Sequence, residues 1–375
     1  MIIGIDGNEA NVKTRVGVNQ YAFELLWGLY ELNTNHSIIV FLKDKPLEDL
    51  PKPQKGFDYK IIPGKGLWII KSLMPYLFRT KEKPDILFSP SHYTVPVSTV
   101  PRVCAIMDLG YLNFSDQFEK RTFWQLKYWT AISIIVSKRI IAISNATKND
   151  IVRHYPFARN KVSVTYLAYD NKRFNTLISN NDVRRVLKKY TIVNKYLLYL
   201  GTLKPSKNLE GILDAFALIK ISNGELLNKL QLVIAGKKGW MYDSIYKRVE
   251  KLGLSQKVVF TDYVSEGDKA ALLAGATLFL APSFWEGFGL HVLESLACGT
   301  PVLVSGVGSL PEVVGKAGVF VETSPCSIAD GIKKVLKMKG AEYNNLVDKG
   351  LKQASFYTWE ATARKTVDIL EKTIK

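Results

Sequence analysis

Short, nearly continuous apolar runs alternate along the chain with stretches in which apolar residues recur every three or four positions. In the first half the runs are IIGID, SIIVFL, DILFSP, RVCAIMD and RIIAIS, β-branched and ending in Ser, Asp or Pro. Amphipathic stretches near Gln20–Leu32 and Phe123–Ser137 lie among them. Apolar strands separated by helical patterns predict a parallel sheet covered on both faces. The second half repeats the pattern. Strand KYLLYLG leads through TLKPSK to helix NLEGILDAFALI, with Asn208 at its N-cap position. Strand LQLVIAG, helix SIYKRVEKLG, strand KVVFTDY, helix KAALLAG, strand LFLAPS, helix LHVLESLAC and strand VLVS follow. Gly253 and Gly299 stand where helices end. Between the halves, NKRFNTLISNNDVRR is rich in Asn and Ser and has no apolar periodicity, which predicts the domain boundary near residues 170–190. The expected architecture is α/β, with two doubly wound parallel-sheet domains. Ligands of such sheets bind at the carboxyl ends of the strands, and a cleft between two of them is a favoured small-molecule site.

Composition narrows the partners more than the fold. At 375 residues, 47% hydrophobic and 23% charged, the chain suits two packed domains and no disordered tract. A net charge of +17 favours polyanions: nucleic acid, an anionic lipid surface or phosphorylated small molecules. No nucleic-acid module signature occurs, so no nucleic-acid partner is expected. Cys104, Cys298 and Cys326 have neither metal-type spacing nor a pairing framework, which suits a reducing compartment. MIIGIDGNEAN reads as a buried first strand rather than a signal peptide, and no run approaches the roughly 20 apolar residues of a membrane span. The expected location is cytoplasmic. Within KGLWIIKSLMPYLFRTKEK, Trp68, Ile69, Ile70, Leu73, Leu77 and Phe78 mix with Lys65, Lys71, Arg79, Lys81 and Lys83. That mixture suits peripheral attachment to an anionic inner membrane face; a core helix kinked at Pro75 is the competing reading.

The most informative segment is LFLAPSFWEGFGLHVLESLACGTPVLVS. A buried strand ends at Ser283, and FWEGFG feeds a helix starting near Leu290. Gly287 and Gly289 let the backbone bend and approach a ligand. The helix N-terminus presents N–H groups and partial positive charge, suited to a diphosphate. Glu286 in the loop and Glu294 one turn into the helix address different parts of a ligand lying across it. A carboxylate accepting two neighbouring hydroxyls is a common way to hold ribose.

SFWEGFGLHVLESLACGTPVLVS resembles the E-x(7)-E signature of retaining GT-B glycosyltransferases of family 4, with Glu286 and Glu294 as its acids. The likeness runs along nearly the whole chain. YLGTLKPSKNLEGILDAFA is similar to the family's donor-phosphate loop in its GTLxPxKN branch, and GSLPEVVGKAGVFVE to the segment after the signature. IIAISNATKNDIV and KVSVTYLAYDNKRF resemble the end of the N-terminal domain, GVNQYAFELLWGL its first loop and helix, and YTWEATARKTVDILEK the helix that crosses back onto that domain. The resemblance implies a Rossmann-like acceptor domain over 1–178 plus a crossover helix over about 358–375, and a donor domain over 179–357. It implies a nucleotide-sugar donor, GDP- or UDP-linked, with no cofactor and no metal. Glu294 would bind ribose, and Glu286 would face the transferred sugar. Gly287, Phe288, Gly289, Leu290 and His291 would meet the donor through their backbone. Gly201, Thr202 and Lys204 would line the phosphate loop, with Gly17 in the first loop of the other domain. Lys207 would neutralise the departing diphosphate, where a fixed cation stabilises growing negative charge.

Two features depart from the family pattern. A second cation is usual in the phosphate loop, but Thr202 and Ser206 occupy the candidate positions and leave Lys204 to substitute. A His commonly precedes Asp108, and Met107 stands there instead. His92 in SPSHYTVP is then either a neighbour of Asp108 or a loop histidine without a role. The expected function is transfer of a hexose, with mannose favoured by the GTLxPxKN branch, to a glycan or lipid-linked acceptor. Retention proceeds either through a covalent sugar on a carboxylate or by front-face attack, and the resemblance favours the latter. The alternatives are a non-catalytic nucleotide-sugar or glycan-binding protein and a nucleotide-sugar epimerase on the same fold.

Overall fold

The computed structural model describes residues 1–222 and 230–375. The chain divides into two compact units. The first comprises Met1–Ala168 with Tyr357–Lys375, and the second Tyr169–Phe356. Residues 169–178, grouped with the first domain on sequence, pack with the second unit. Arg173 explains why: its guanidinium donates to Glu266 at 2.8 Å.

The first unit is built on seven parallel strands: β1 (Ile2–Asp6), β2 (Ser37–Leu42), β3 (Phe57–Ile61), β4 (Ile86–Ser89), β5 (Arg102–Ile106), β6 (Arg139–Ala142) and β7 (Val162–Val164). They lie in the order β3-β2-β1-β4-β5-β6-β7. The central strands β1, β4 and β5 are almost wholly buried, which is why their sequences read as unbroken apolar runs. Strand β3 escaped that reading because of its edge position: in F-D-Y-K-I only Phe57 is buried. Trp68, Leu73 and Leu77 of the 65–83 segment pack into a core cluster with Phe41, Leu87 and Val95. Its backbone forms one π turn, Ile69–Leu73, and then a short helix, Met74–Arg79, with Pro75 in the first turn, where a missing N–H is harmless. Most of its apolar face is therefore core.

The second unit carries six parallel strands: β8 (Lys195–Leu200), β9 (Leu230–Ala235), β10 (Val258–Asp262), β11 (Leu278–Ala281), β12 (Val302–Ser305) and β13 (Val319–Val321). Their order, β10-β9-β8-β11-β12-β13, is the doubly wound arrangement that reverses between β8 and β11. Leu197, Leu213, Phe216, Leu232, Leu280 and Ile332 are among the side chains that fill its core. A helix at Asn180–Lys189 begins inside the Asn- and Ser-rich boundary stretch. Among its residues only Val186 is buried. Val183, Val186 and Leu187 turn inward, and charge reinforces the contact: Asp268, itself buried, accepts from Arg185 at 2.9 Å and Lys189 at 2.5 Å.

Candidate functional site

The loops leaving β8 and β11 are neighbours because the strand order reverses there. The first, residues 201–208, is fixed from several sides. Leu203 is buried, donates its N–H to Lys237 O and accepts from Gly239 N–H. Gly201 and Gly236 touch so closely that a Cβ at Gly236 would sit 1.9 Å from Gly201 O. Asn208 adopts a left-handed φ of 57° before helix Leu209–Ser222. Its side-chain amide donates to Pro282 O at 3.0 Å and Thr323 O at 2.8 Å, tying the loop to the ends of β11 and β13. The second loop, residues 282–289, is joined to the first by Phe284 N–H donating to Ser206 O.

This scaffold brings Lys207 and Glu286 together. Lys207 Nζ donates to Glu286 Oε1 at 2.6 Å, and Ser283 Oγ donates to the same oxygen at 3.0 Å. Burial pushes the Glu286 carboxyl up, but the charges of Lys207 and Lys204 and the Ser283 hydroxyl outweigh it and hold it below its ordinary value. Lys204 lies over the Trp240 ring at 5.2 Å. The Glu286 backbone is gripped from β12's loop. Ser309 donates to Glu286 O through both its N–H and its Oγ, each at 3.1 Å. Gly308 has φ +57°, and a Cβ there would lie 2.4 Å from that same oxygen.

Gly289, with φ +86°, turns the chain into helix Leu290–Ala297. Phe288 is buried, so only the backbone of Gly287–Gly289 is available to a ligand at that step. His291 Nδ1 and Glu294 Oε2 are 2.7 Å apart. The His291 ring also lies beside Gly201: a Cβ built on that glycine would be 3.8 Å from His291 Cδ2. Glu294 is 4% exposed. Burial raises its carboxyl, but Lys269, His291 and Arg173 together hold it below the usual range. Lys269 in turn bonds Glu266 at 2.9 Å, and its ammonium, which burial alone would weaken, is held above its ordinary value by Glu294 and Glu266. Sequence reasoning missed Ser283, Ser309, Lys269 and Arg173. Their spacing carried no signal, because each acts from a different element on a carboxylate found by motif.

In the second unit, then, Gly201, Thr202, Lys204, Lys207, Glu286, Gly287, Gly289, Leu290, His291 and Glu294 all lie on the two loops or the helix that follows. Gly17 and Asp108 belong to the first unit. Gly17 precedes helix Val18–Glu31 with φ +54° and open space around it. Asp108 is exposed at the carboxyl end of β5 and accepts from Gly110 N–H at 2.8 Å. His92 lies close enough to Asp108 to feel its charge. Burial pushes the imidazole down to about 4, Asp108 working the other way, and Nε2 has no hydrogen-bond partner.

Residues 16–173 match the family model described as Glycosyltransferase Family 4, and residues 180–353 match that described as Glycosyl transferases group 1. The chain is 25% identical to the O-antigen chain mannosyltransferase B of Escherichia coli, over 94% of its own length and 95% of that protein. It is 26% identical to the Escherichia coli serotype-specific mannosyltransferase WbdA over 76% of its length, which is 36% of that longer protein. Anabaena HepE, solved in complex with UDP and glucose, superposes with a TM-score of 0.75 at 16% identity, covering 99% of both chains. Two Rossmann-like sheets, a carboxylate pair on one strand–helix turn and these matches define a glycosyltransferase of the GT-B fold. The chain belongs to the glycosyltransferases built from a family 4 domain followed by a group 1 domain.

Proposed function

We propose that this glycosyltransferase moves a hexose, with retention, from a nucleotide diphosphate sugar to a glycan or lipid-linked acceptor, without a metal ion. The observation that carries the reading is the pair of carboxylates at the β8/β11 reversal, each held ionised and each bonded to a basic side chain. Glu294, buried and anionic, is suited to accept from two ribose hydroxyls, with His291 orienting it. The diphosphate would lie against the 201–207 loop and the start of helix Leu290–Ala297, where free N–H groups and partial positive charge favour an anion. Glu286 would then face hydroxyls of the transferred sugar.

Lys207 stabilises charge where it develops. As the bond between the anomeric carbon and the phosphate oxygen breaks, the leaving oxygen gains negative charge, and an ammonium already positioned needs no reorganisation. Lys204 supplies the second positive charge that Thr202 and Ser206 lack. On the front face the acceptor oxygen bonds to the anomeric carbon and its proton passes to the leaving phosphate. The Lys207 ion pair gives Glu286 a partner in the free enzyme, so the carboxylate is better suited to binding than to nucleophilic attack. The mannosyltransferases among the relatives favour a mannosyl donor. The first unit would hold the acceptor, with Asp108 and Gly17 at its sheet's carboxyl end.

The test is a thermal-shift and product-release screen against GDP- and UDP-sugars, with Glu294→Ala as control. One nucleotide is expected to stabilise the wild type and not the variant, with slow release of free sugar from that donor. Absence of a shift with every nucleotide at millimolar concentration would remove the transferase reading and favour a protein without donor chemistry.

A further inference from the structure

We infer that the outward stripe of helix Lys120–Val136, together with Phe157, is the surface by which this protein docks on an anionic lipid bilayer. The inference deepens the proposed reading of a glycan or lipid-linked acceptor by naming the face that would meet the membrane. Trp124, Tyr128, Ile132 and Ile135 recur at helical spacing and all point to solvent. Trp124 is 46% exposed, Tyr128 61% and Ile135 57%. The stripe spans twelve residues, about 16 Å at the helical rise. Phe157, 56% exposed, extends it beyond the helix. Lys161 bridges the two parts: its Nζ donates to Ile135 O at 3.2 Å and lies 5.8 Å from the Phe157 ring.

Such a row costs a soluble protein unless something covers it, and the surrounding charge selects what that is. Between residues 120 and 161 the chain has nine Lys and Arg and a single acid, Asp150. Asp150 is buried, so it does not offset the surface charge. Two copies facing each other through this patch would bring like charges together, whereas anionic headgroups complement them. The aromatic pair also suits an interface. Trp124 and Tyr128 stack with centroids 5.4 Å apart, and Lys127 sits 4.8 Å above the Trp124 ring, which places a positive charge beside the aromatic pair. The segment at 65–83, the candidate on composition, offers only Leu67 and Phe78 as strongly exposed apolar side chains.

The test is flotation with phosphatidylglycerol–phosphatidylcholine vesicles and with pure phosphatidylcholine vesicles. Wild type should float with the anionic vesicles, less at high salt, and hardly with the neutral ones. The triple variant Trp124→Ser/Tyr128→Ser/Ile135→Ser should lose about ten-fold or more in partitioning, because burial of these side chains drives insertion. Lys127→Glu/Lys138→Glu should also lose it although every apolar side chain of the stripe is kept, and Leu67→Ser/Phe78→Ser should not. Equal flotation of wild type and both stripe variants overturns the inference. So does a wild-type dimer that the triple variant converts to monomer while flotation is unchanged. Nucleotide-induced thermal shifts on the same preparations separate the two readings: a retained shift without flotation removes only the docking surface, and flotation without a shift removes only the transferase reading.

Discussion

Replacing Lys207 by Met should expose the energetics of the Glu286 carboxylate. In the wild type the two groups meet at 2.6 Å with side chains only 16% and 17% exposed. Breaking a buried pair by removing one partner costs about 3–5 kcal/mol when nothing compensates. Here Ser283 stays in contact and Lys204 still contributes its charge, so about 2–3 kcal/mol is expected near neutral pH. The pH dependence carries the sharper test. In the wild type Glu286 lies below its ordinary value of 4.5, so its contribution is present above that pH and is lost as pH falls through the lowered value. In the variant burial becomes the leading influence and pushes the carboxyl up. Such an acid favours the folded state only when protonated, so the deficit develops as pH rises through 4.5 toward the raised value. Urea unfolding of wild type, Lys207→Met, Glu286→Gln and the double variant should give a deficit that shrinks as pH falls through 4.5 and vanishes only below the lowered wild-type value. It should also shrink in the double variant at neutral pH, where no charge is left unpaired. A deficit independent of pH, or additive effects of the two substitutions, would refute the account of Glu286 as a buried ion held by Lys207.

Glu294→Gln should weaken nucleotide binding by about ten- to a hundred-fold, since a hydrogen bond to a charged group is worth about 1.5–3 kcal/mol; titration calorimetry with the preferred nucleotide measures it. Asn208→Ala should destabilise the second unit by about 3 kcal/mol, from two orphaned carbonyls and a left-handed backbone. Asn208→Gly should recover about 1 kcal/mol of that by relieving the backbone alone, and thermal unfolding of both variants decides it. Gly308→Ala forces a Cβ onto Glu286 O at 2.4 Å. It should lower turnover of donor more than nucleotide affinity, read as a fall in kcat with little change in the Kd for the free nucleotide.

Much of the second unit was legible because its strands are buried on both faces, so β8, β9 and β11 appear as plain apolar runs. The Glu286–Glu294 spacing was equally legible, being local to one turn and one helix. What sequence could not convey was the support around those acids. Lys269 and Arg173 reach Glu294 from a helix and a loop remote in the chain, and nothing in periodicity links residues 173, 269 and 294. The Asn180–Lys189 helix stayed hidden because only Val183 of its apolar stripe falls within the Asn- and Ser-rich boundary stretch, and Val186, Leu187 and Tyr190 lie beyond it. The 65–83 segment misled because mixed basic and apolar composition is shared by core helices and surface ones, and only burial separates them.

Helix Trp359–Ile374 belongs to the first unit although the whole second unit precedes it. It is packed closely there: a Cβ on Gly28 would lie 3.1 Å from Trp359 O, His36 bonds Glu371 at 2.7 Å, and Thr362 Oγ1 donates to Tyr166 O. The ribosome therefore releases the second unit as one uninterrupted stretch, able to close on its own sequence as soon as it emerges. The first unit is delivered early but unfinished, with the surface around Tyr21 and Gly28 uncovered until residues 359–374 arrive. Chaperone dependence and aggregation during synthesis should accordingly concentrate on the half of the protein that is made first.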